Sequence, residues 1–246
     1  DVLNVHYNKV IHKVHENSGV VGSIIGDAIL AIYGTLDSKM SKSYNAIRSA
    51  WDITRVTATL REAMIQKRVE IEKKRKLTES EEKVYQAVLL DVGVGIDGGN
   101  VFYGNIGSNE HMANTVIGDN VNSASRLEGL TRVYHLPVIV SEYIRDEVLN
   151  ESARYKFFEI DTVQVKGKTE GKKIYFPIDS NETDELVINK YSIFENGLNA
   201  YYEGDWKTAR KMFKDCELEV SHIFLERMGN KNAPEDWNGI WTMTTK

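Results

Sequence analysis

The chain has 246 residues, of which 41% are hydrophobic and 27% are charged, a balance that excludes collagen-like, disulfide-scaffold and wholly disordered proteins. With a single cysteine, Cys216, no internal disulfide is possible, which fits a reducing compartment. The 31 basic and 36 acidic residues give a net charge of -5, which argues against nucleic acid as a partner, and no apolar run approaches the length of a membrane span.

The first part of the sequence alternates helical patterns with paired strands. Apolar residues at helical spacing predict a helix over 2–14. Two short β-branched strands are predicted over 20–33, around a turn signal formed by Gly26 and Asp27. A second helical pattern, over 43–64, follows this hairpin.

Residues 67–83 are dense in charge, with four basic residues at 73–76 followed by three glutamates at 79–82. Such a stretch is either a binding arm for an acidic partner or an exposed helical extension or flexible insertion. Because the opposite charges follow at once, the positive field is largely screened beyond about 8–10 Å. We therefore favour the exposed extension or flexible insertion over the binding arm.

Residues 89–106 predict a β-hairpin, because two apolar strands flank an Asp-Gly-Gly-Asn turn at 97–100. A helix is predicted over 122–134, and Asp119 or Asn120 is a candidate N-cap for it.

A strand predicted over 137–140 leads to a helix over 142–149, for which Ser141 is the expected N-cap. A last strand pair is predicted over 155–165 and 173–178, joined by a Lys-Gly-Lys loop. Strand pairs that recur between helices favour an α+β fold, with helices packed on one face of a mainly antiparallel sheet.

The sequence changes character at a polar linker near residue 180. Two helical patterns follow, over 186–202 and 205–220, and the Tyr-x-x-Gly-Asp-Trp motif between them is typical of a tetratricopeptide-type helix pair. Two tryptophans near the C-terminus are expected to be docked on the fold. We therefore predict two domains, an α+β domain over 1–179 and a helical appendage over 180–246 that either packs on it or continues a helical surface.

Three groups of polar residues are candidates for a functional site. The Gly26–Asp27 turn lifts a carboxylate to the edge of the strands, where it either binds Mg²⁺ or faces water. Asn122 and Arg126 share one helix face, so they suit a ligand of fixed negative charge, unless they belong to an exposed polar face with an Arg–Glu pair. Lys166 and Lys168 flank a glycine and are long enough to reach a phosphate, although this short pattern is common. The six histidines form no pattern typical of a metal site.

Taken in this order, the segments resemble the class III nucleotidyl cyclase catalytic domain. The resemblance covers residues 1–178 and is carried by Ile-Gly-Asp-Ala at 25–28 and by Val-Ile-Gly-Asp-x-Val-Asn-x-Ala-x-Arg-Leu-Glu at 116–128. It implies the ferredoxin-like α+β fold of that family, with active sites formed across a head-to-tail homodimer. The tail resembles the extension of some bacterial members, in which a sensor and membrane helices precede the cyclase.

The resemblance also implies a reaction, in which the 3′-hydroxyl of ATP attacks its own α-phosphate and releases cyclic AMP and pyrophosphate. Two divalent metal ions, Mg²⁺ or Mn²⁺, serve as cofactors in the family. The matching position makes Asp27 a metal-binding carboxylate. Asn122 and Arg126 match catalytic groups that act, from the other subunit, on the ribose and on transition-state charge.

Four further positions match substrate-binding residues of the family. Lys166 or Lys168 would contact the terminal phosphates, and Thr115 falls at a position that helps recognise the purine. Ser23 occupies the base-selecting position, where adenylate-forming members usually carry Lys and guanylate-forming members an acid. Because one charge-assisted bond to the base is worth about 1.5–3 kcal/mol, a serine here leaves GTP as an alternative to ATP.

Two other functions are compatible with the sequence. A cyclase-like module that binds nucleotide or dimerises without turnover is suggested by Ser23 and by the family's first metal-binding Asp, which precedes the opening helix and has no counterpart in this sequence. An RNA-binding domain would also carry a helix-covered antiparallel sheet, but the net charge of -5 argues against it. Because the chain does not begin with Met, we expect a longer parent protein, cytoplasmic in its catalytic part, for which the resemblance suggests an upstream membrane anchor.

Overall fold

The computed structural model describes residues 2–108, 111–164 and 171–241. The chain divides into two compact units, which are Asp1–Gly93 with Phe102–Val116 and Val94–Val101 with Ile117–Lys246. In the described part of the chain, no helix combines the length and the apolar character needed to cross a bilayer.

The described residues form eight helices and eight strands. In chain order these are α1 (Val2–Glu16), β1 (Gly19–Ile25), β2 (Ala28–Tyr33), α2 (Lys42–Glu72), α3 (Glu79–Val88), β3 (Val94–Ile96), β4 (Phe102–Ser108), β5 (His111–Ile117), α4 (Asp119–Tyr134), β6 (Val138–Ser141), α5 (Glu142–Leu149), β7 (Tyr155–Gln164), β8 (Gly171–Asp179), α6 (Glu185–Tyr202), α7 (Trp206–Asp215) and α8 (Glu219–Met228). The helices predicted at the start of the chain, in its middle and after Ser141 are all confirmed.

The first unit has its core between α1, α2 and the β1–β2 hairpin. α1 contributes Val10 and Val14, which lie one helical turn apart, and α2 contributes Ile53. Partly buried apolar residues of the hairpin and one later residue pack against them: Val21, Ile29, Ala31, Tyr33 and Val92. The antiparallel pairing of β1 with β2 confirms the predicted hairpin and its turn.

The charged stretch forms an exposed helical extension, as predicted. α2 continues to Glu72, and α3 begins at Glu79 after a capping box in which Thr78 and Glu81 bond reciprocally. Arg75 pairs with Glu81 at 2.7 Å, and this guanidinium, together with Thr78, lowers the pKa of the Glu81 carboxyl to about 2. The stretch is thus organised by ion pairs of its own.

The second unit is built on a four-stranded sheet with the strand order β3–β6–β8–β7. β3 runs parallel to β6, whereas β6 and β7 each run antiparallel to β8. The long β7–β8 pairing, from Tyr155↔Asp179 to Gln164↔Gly171, confirms the last predicted strand pair. The residues of β8 from Ile174 onward are all buried, so both faces of this strand are covered.

Different helices cover the two faces of β8. On one face, the Arg145 guanidinium of α5 lies 4.3 Å from the ring centre of Tyr175. The adjacent Phe176 faces the other way, and there Tyr191 of α6 contacts both Phe176 and Phe158 of β7, at 5.2 and 5.4 Å between ring centres. The sheet with its covering helices confirms the predicted α+β class, and α6 is the first helix after residue 180.

The hairpin predicted over 89–106 is wrong, because its two strands pair elsewhere. β3 covers only Val94–Ile96 and pairs with β6, while β4 pairs with β5. The intervening turn is tied to the start of α4 instead, since Asn120 Nδ2 donates to Asp97 Oδ2 at 3.1 Å and to the Gly98 carbonyl at 2.7 Å. A turn held by a helix thus takes the place of the expected strand pairing.

One of the two predicted N-caps is wrong, and the other is confirmed by position but makes no side-chain bond. α4 begins at Asp119, so its N-cap is Gly118 rather than Asp119 or Asn120, and no side chain of the described residues caps it. α5 begins after Ser141 as predicted, but the Ser141 hydroxyl is buried without a hydrogen-bond partner among the described residues. Neither helix is therefore capped by a side chain of the described residues, and α4 is tied at its start by Asn120.

The tail contains three described helices where the sequence predicts two. α6 matches the pattern over 186–202, and α7 covers most of the pattern over 205–220, ending before Glu217, whose φ of 51° interrupts the helical path; α8 lies mainly beyond the predicted pattern. Aromatic side chains from the three helices pack against one another. The ring cluster consists of Phe194, Tyr201, Trp206, Phe213 and Phe224.

The segment after α8 returns to this cluster. Trp237 packs edge-on against Tyr201 and Trp206 and donates from Nε1 to the Tyr201 carbonyl at 2.9 Å. This docking confirms the expectation for the C-terminal tryptophans. Cys216, at the end of α7, is fully buried beside the cluster, with its thiol 3.3 Å from the Phe213 carbonyl.

We expect Gly95→Ala to destabilise the second unit by about 1–3 kcal/mol. A Cβ on this residue of β3 would overlap the Glu128 amide nitrogen and the Ala124 carbonyl of α4, and backbone atoms cannot yield as a flexible side chain would. Urea denaturation followed by circular dichroism measures the change in the free energy of unfolding. Gly129→Ala is the control, because it lies within α4 facing open space and should stabilise by about 0.5–1 kcal/mol. Equal unfolding free energies for the two variants would contradict the prediction.

Candidate active site

The tip of the β1–β2 hairpin presents a carboxylate to solvent. Because Ile25 pairs with Ala28, the turn between the strands consists of two residues, and Gly26 takes the positive φ of 63° that such a turn requires. Asp27 is exposed at this tip. Ile24 and Ile25 beside it are also exposed, by 53% and 66%. The carboxylate is therefore accessible and has an apolar surface next to it.

Two predicted substrate-binding residues lie in the same unit as Asp27. Ser23 pairs with Leu30 where the β1–β2 register shifts, and its side chain is partly buried. Thr115 is a partly buried residue of β5. The structure thus places Ser23 on the strand that leads to Asp27 and Thr115 on a separate pair of strands.

α4 carries the predicted catalytic pair on its first turns. Asn122 and Arg126 are both exposed and lie one helical turn apart, so their side chains leave the same face. The alternative was an ion pair between Arg126 and Glu128. Glu128 instead forms an ion pair with Arg132, at 3.1 Å. Within the described ranges Arg126 takes part in no ion pair, so its charge is available to a ligand.

The start of α4 is held by residues that the sequence analysis assigned to other roles. Asp97 and Asn120 join the turn after β3 to the first turn of the helix, two residues before Asn122. The Asp-Gly-Gly signal was visible in the sequence, but it predicted a hairpin. What it contributes instead is an anchor for the helix that carries Asn122 and Arg126.

Lys166 and Lys168 lie outside the described residues. Their predicted contact with the terminal phosphates therefore remains a prediction. The strands that lead into and out of this loop, β7 and β8, are described as far as Gln164 and from Gly171.

The donors present fit a divalent cation that is shared with a phosphate ligand. Among the described residues no group of three or more His, Cys, Asp or Glu side chains could enclose a metal ion. Asp27 offers one accessible carboxylate, and Mg²⁺ in nucleotide sites is commonly held by one or two carboxylates together with waters and substrate phosphates. The hairpin tip therefore suits a metal that arrives with a nucleotide rather than a permanent protein cage.

The candidate residues thus fall into two groups. Asp27, Ser23 and Thr115 belong to the first unit, and Asn122 and Arg126 belong to the second. One group offers a carboxylate and the other a guanidinium with an amide. Taken separately, the carboxylate suits a divalent cation, and the guanidinium with its amide suits a phosphorylated ligand.

Residues 1–179 match the profile of the adenylate and guanylate cyclase catalytic domain. The chain belongs to this family. The predicted resemblance to class III cyclases is thereby confirmed, and the matched range contains Asp27, Asn122 and Arg126.

Two relatives are adenylate cyclases that are much longer than this chain. An adenylate cyclase of Dictyostelium discoideum, described as terminal-differentiation specific, is 26% identical over 88% of this chain but only 9% of its own length. An adenylate cyclase of Anabaena cylindrica is 40% identical over 35% of this chain and 17% of its own length. The chain thus spans a minor part of each of these relatives.

Solved cyclase structures share the fold. A bacterial light-regulated adenylyl cyclase superposes with a TM-score of 0.54 at 23% identity, over 74% of this chain and 44% of that one. A guanylyl cyclase superposes with a TM-score of 0.51 at 23% identity, over 74% of this chain and 80% of that one. The class III cyclase fold predicted from the sequence is confirmed.

Proposed function

We propose that the chain is a nucleotidyl cyclase that converts ATP to 3′,5′-cyclic AMP and pyrophosphate in signal transduction. One observation carries the proposal: within the range that matches the cyclase family, α4 presents Asn122 and Arg126 on one exposed face, with the Arg126 charge unpaired in the described part of the chain. A free guanidinium beside an amide is the donor pair that a ribose and a reacting phosphoryl group need.

In this proposal each residue has a separate task. The 3′-oxygen of the ribose bonds to the α-phosphorus, the bond from that phosphorus to the bridging β-phosphate oxygen breaks, and the hydroxyl proton leaves to solvent. Arg126 stabilises the charge that develops on the phosphoryl oxygens, and Asn122 orients the ribose by a hydrogen bond. Asp27 would hold one of two divalent metal ions, Mg²⁺ or Mn²⁺, which when bound lower the pKa of the 3′-hydroxyl and neutralise phosphate charge.

We further propose that each site is shared by two copies of the chain, with Asp27 from one and Asn122 and Arg126 from the other. The exposed isoleucines beside Asp27 support this arrangement, because apolar residues at a functional surface are commonly covered by a partner. Phe102 of β4 is 80% exposed and offers a second apolar contact. A homodimer would cover both.

The choice of ATP is supported by relatives named adenylate cyclase, and GTP is the alternative because a guanylyl cyclase shares the fold. Ser23 and Thr115 are the residues we propose to face the base. Lys166 and Lys168 are proposed to contact the terminal phosphates. We also propose that 1–179 is the catalytic domain and 180–246 a tetratricopeptide-like tail.

A non-catalytic cyclase-like module is the second candidate. One argument for it is Ser23, because family members usually carry either Lys or an acidic residue at this position. Another is that the described residues contain no group of carboxylates able to enclose a metal ion. Such a module would bind a nucleotide or form a dimer without turnover.

Incubation of the chain with ATP or GTP, at concentrations that favour dimers, tests the proposal. We expect cyclic AMP to form with Mn²⁺ or Mg²⁺, and chromatography of the nucleotides measures it. Cyclic GTP in place of cyclic AMP would make the chain a guanylate cyclase. Formation of neither product, with retained binding of a non-cyclisable ATP analogue, would reject catalysis and favour the module.

A further inference from the structure

A buried network joins α4 to the last helix of the tail. Arg227 of α8 donates from Nη1 to Asp161 Oδ2 of β7 at 2.6 Å and from Nη2 to the Tyr134 hydroxyl at 3.1 Å. Tyr134, the last residue of α4, donates to the same Asp161 oxygen at 2.6 Å, and the Thr162 amide donates to the other at 2.8 Å. The three side chains thus bond to one another in a closed triangle.

The network is shielded from water. The side chain of Asp161 is 1% exposed and that of Arg227 is 7% exposed. Phe224 and Trp241 flank the guanidinium, with ring centres 4.9 and 5.6 Å away. Burial lowers the pKa of Arg227, but the charge of Asp161 and the contacts with Tyr134 together outweigh it and the pKa is raised, whereas burial raises the pKa of the Asp161 carboxyl.

Buried ion pairs contribute little net stability compared with apolar side chains of the same size, but they fix geometry. Here the geometry concerns the C-terminal end of α4. Arg126 lies eight residues before Tyr134 on the same helix, about 12 Å along its axis. A change in the direction of α4 at Tyr134 would therefore shift the Arg126 guanidinium.

The tail also contacts the last residues of β7 and the first residue of β8, beside the segment that joins the two strands. Trp241 forms a bridge with Val163, Ile240 packs against Gly171, and Tyr202 accepts a hydrogen bond from the Thr162 hydroxyl at 3.2 Å. The tail therefore contacts α4, which carries Asn122 and Arg126, and also the β7–β8 strand pair, which leads to Lys166 and Lys168.

We propose that the helical tail is a positioning element of the active site, and that Arg227, through Asp161 and Tyr134, sets the direction of α4 and hence the place of Arg126. This inference rests on the proposed function. Arg227 touches no substrate in it, so it is a positioning residue. Its removal should lower kcat more than it raises KM, because Arg126 acts on charge that develops in the transition state.

Mixed dimers test the inference. A chain with Arg126→Ala keeps its Asp27, and a chain with Asp27→Ala keeps its α4, so a mixture of the two contains one intact shared site per heterodimer. Arg227→Met is then placed on one chain or on the other. On the chain that supplies α4 it should lower kcat by about 10–100-fold, as a misplacement near 1 Å would. On the chain that supplies Asp27 it should lower kcat by less than about two-fold.

The outcomes separate the inference from the proposed function. Equal losses on both chains, or no loss on either, would overturn the positioning role while the shared site stands. An inactive mixture before any change at Arg227 would reject the shared site and the positioning role with it. Lys190→Met, which breaks an exposed ion pair with Glu217 in the same tail, is the control and should leave kcat unchanged.

A second variant guards against misfolding. Arg227→Met leaves Asp161 buried without its cation, which can prevent folding. The double variant Asp161→Asn, Arg227→Met removes both charges and leaves none buried. It should fold and show the same dependence on which chain carries it, and a double variant with full activity would count against the inference.

Discussion

Arg126→Ala is expected to lower kcat for cyclic AMP formation by about 10²–10³-fold, with a much smaller change in KM for ATP. Arg126 is exposed, lies one turn from Asn122 and has no ion-pair partner in the described part of the chain. Its charge is therefore free to act on the phosphoryl group as negative charge develops there, and a group that acts only in the transition state affects kcat. Steady-state kinetics with ATP over a range of concentrations measures both constants.

Arg132→Ala is the matched control for this change. Arg132 is an exposed arginine of the same helix, but its guanidinium is bound to Glu128 at 3.1 Å. Its removal alters helix charge by the same amount and should change kcat by less than about two-fold. Similar losses for both variants would show that α4 contributes general positive potential rather than a specific catalytic group.

Asp27→Asn is expected to reduce activity by at least about 10²-fold, which corresponds to roughly 2.7 kcal/mol of lost transition-state stabilisation. The amide keeps the shape of the side chain at the hairpin tip but loses the charge that would hold a divalent cation. Part of the activity should return as the Mn²⁺ concentration is raised, because a weaker site fills at higher metal. Activity measured against Mn²⁺ concentration tests this.

Asp37→Asn removes a carboxylate from another exposed position of the same unit and should leave the metal dependence unaltered. A loss of activity in the Asp27 variant that no concentration of Mn²⁺ relieves would favour a role other than metal binding. Unchanged activity would remove Asp27 from the site.

The local features of the candidate site could be predicted from the sequence. A Gly-Asp turn between β-branched strands needs only neighbouring residues, and it placed Asp27 at a hairpin tip correctly. The spacing of Asn122 and Arg126 fixes a shared face once a helix is assigned. The α+β class could also be predicted, because the order of strand pairs and helices follows from patterns of neighbouring residues.

Features that depend on distant partners could not be predicted. The sequence around the turn after β3 favours a hairpin, but β3 pairs with β6 about 40 residues later, and only the packed fold shows Asn120 holding that turn. The Tyr134–Asp161–Arg227 network joins residues 27 and 66 positions apart. No periodicity in the sequence links these three side chains, because their contact arises from helix and strand packing alone.

The complete burial of Cys216 has a practical consequence for spectroscopy. A thiol enclosed beside aromatic rings should react slowly with maleimides or methanethiosulfonates. The wild-type chain should therefore take up little label of its own. A cysteine introduced next to Asp27, or on the solvent side of α4, would then carry a spin label or fluorophore almost alone. Distances between labelled copies would report directly how the carboxylate of one chain is arranged around the guanidinium of another.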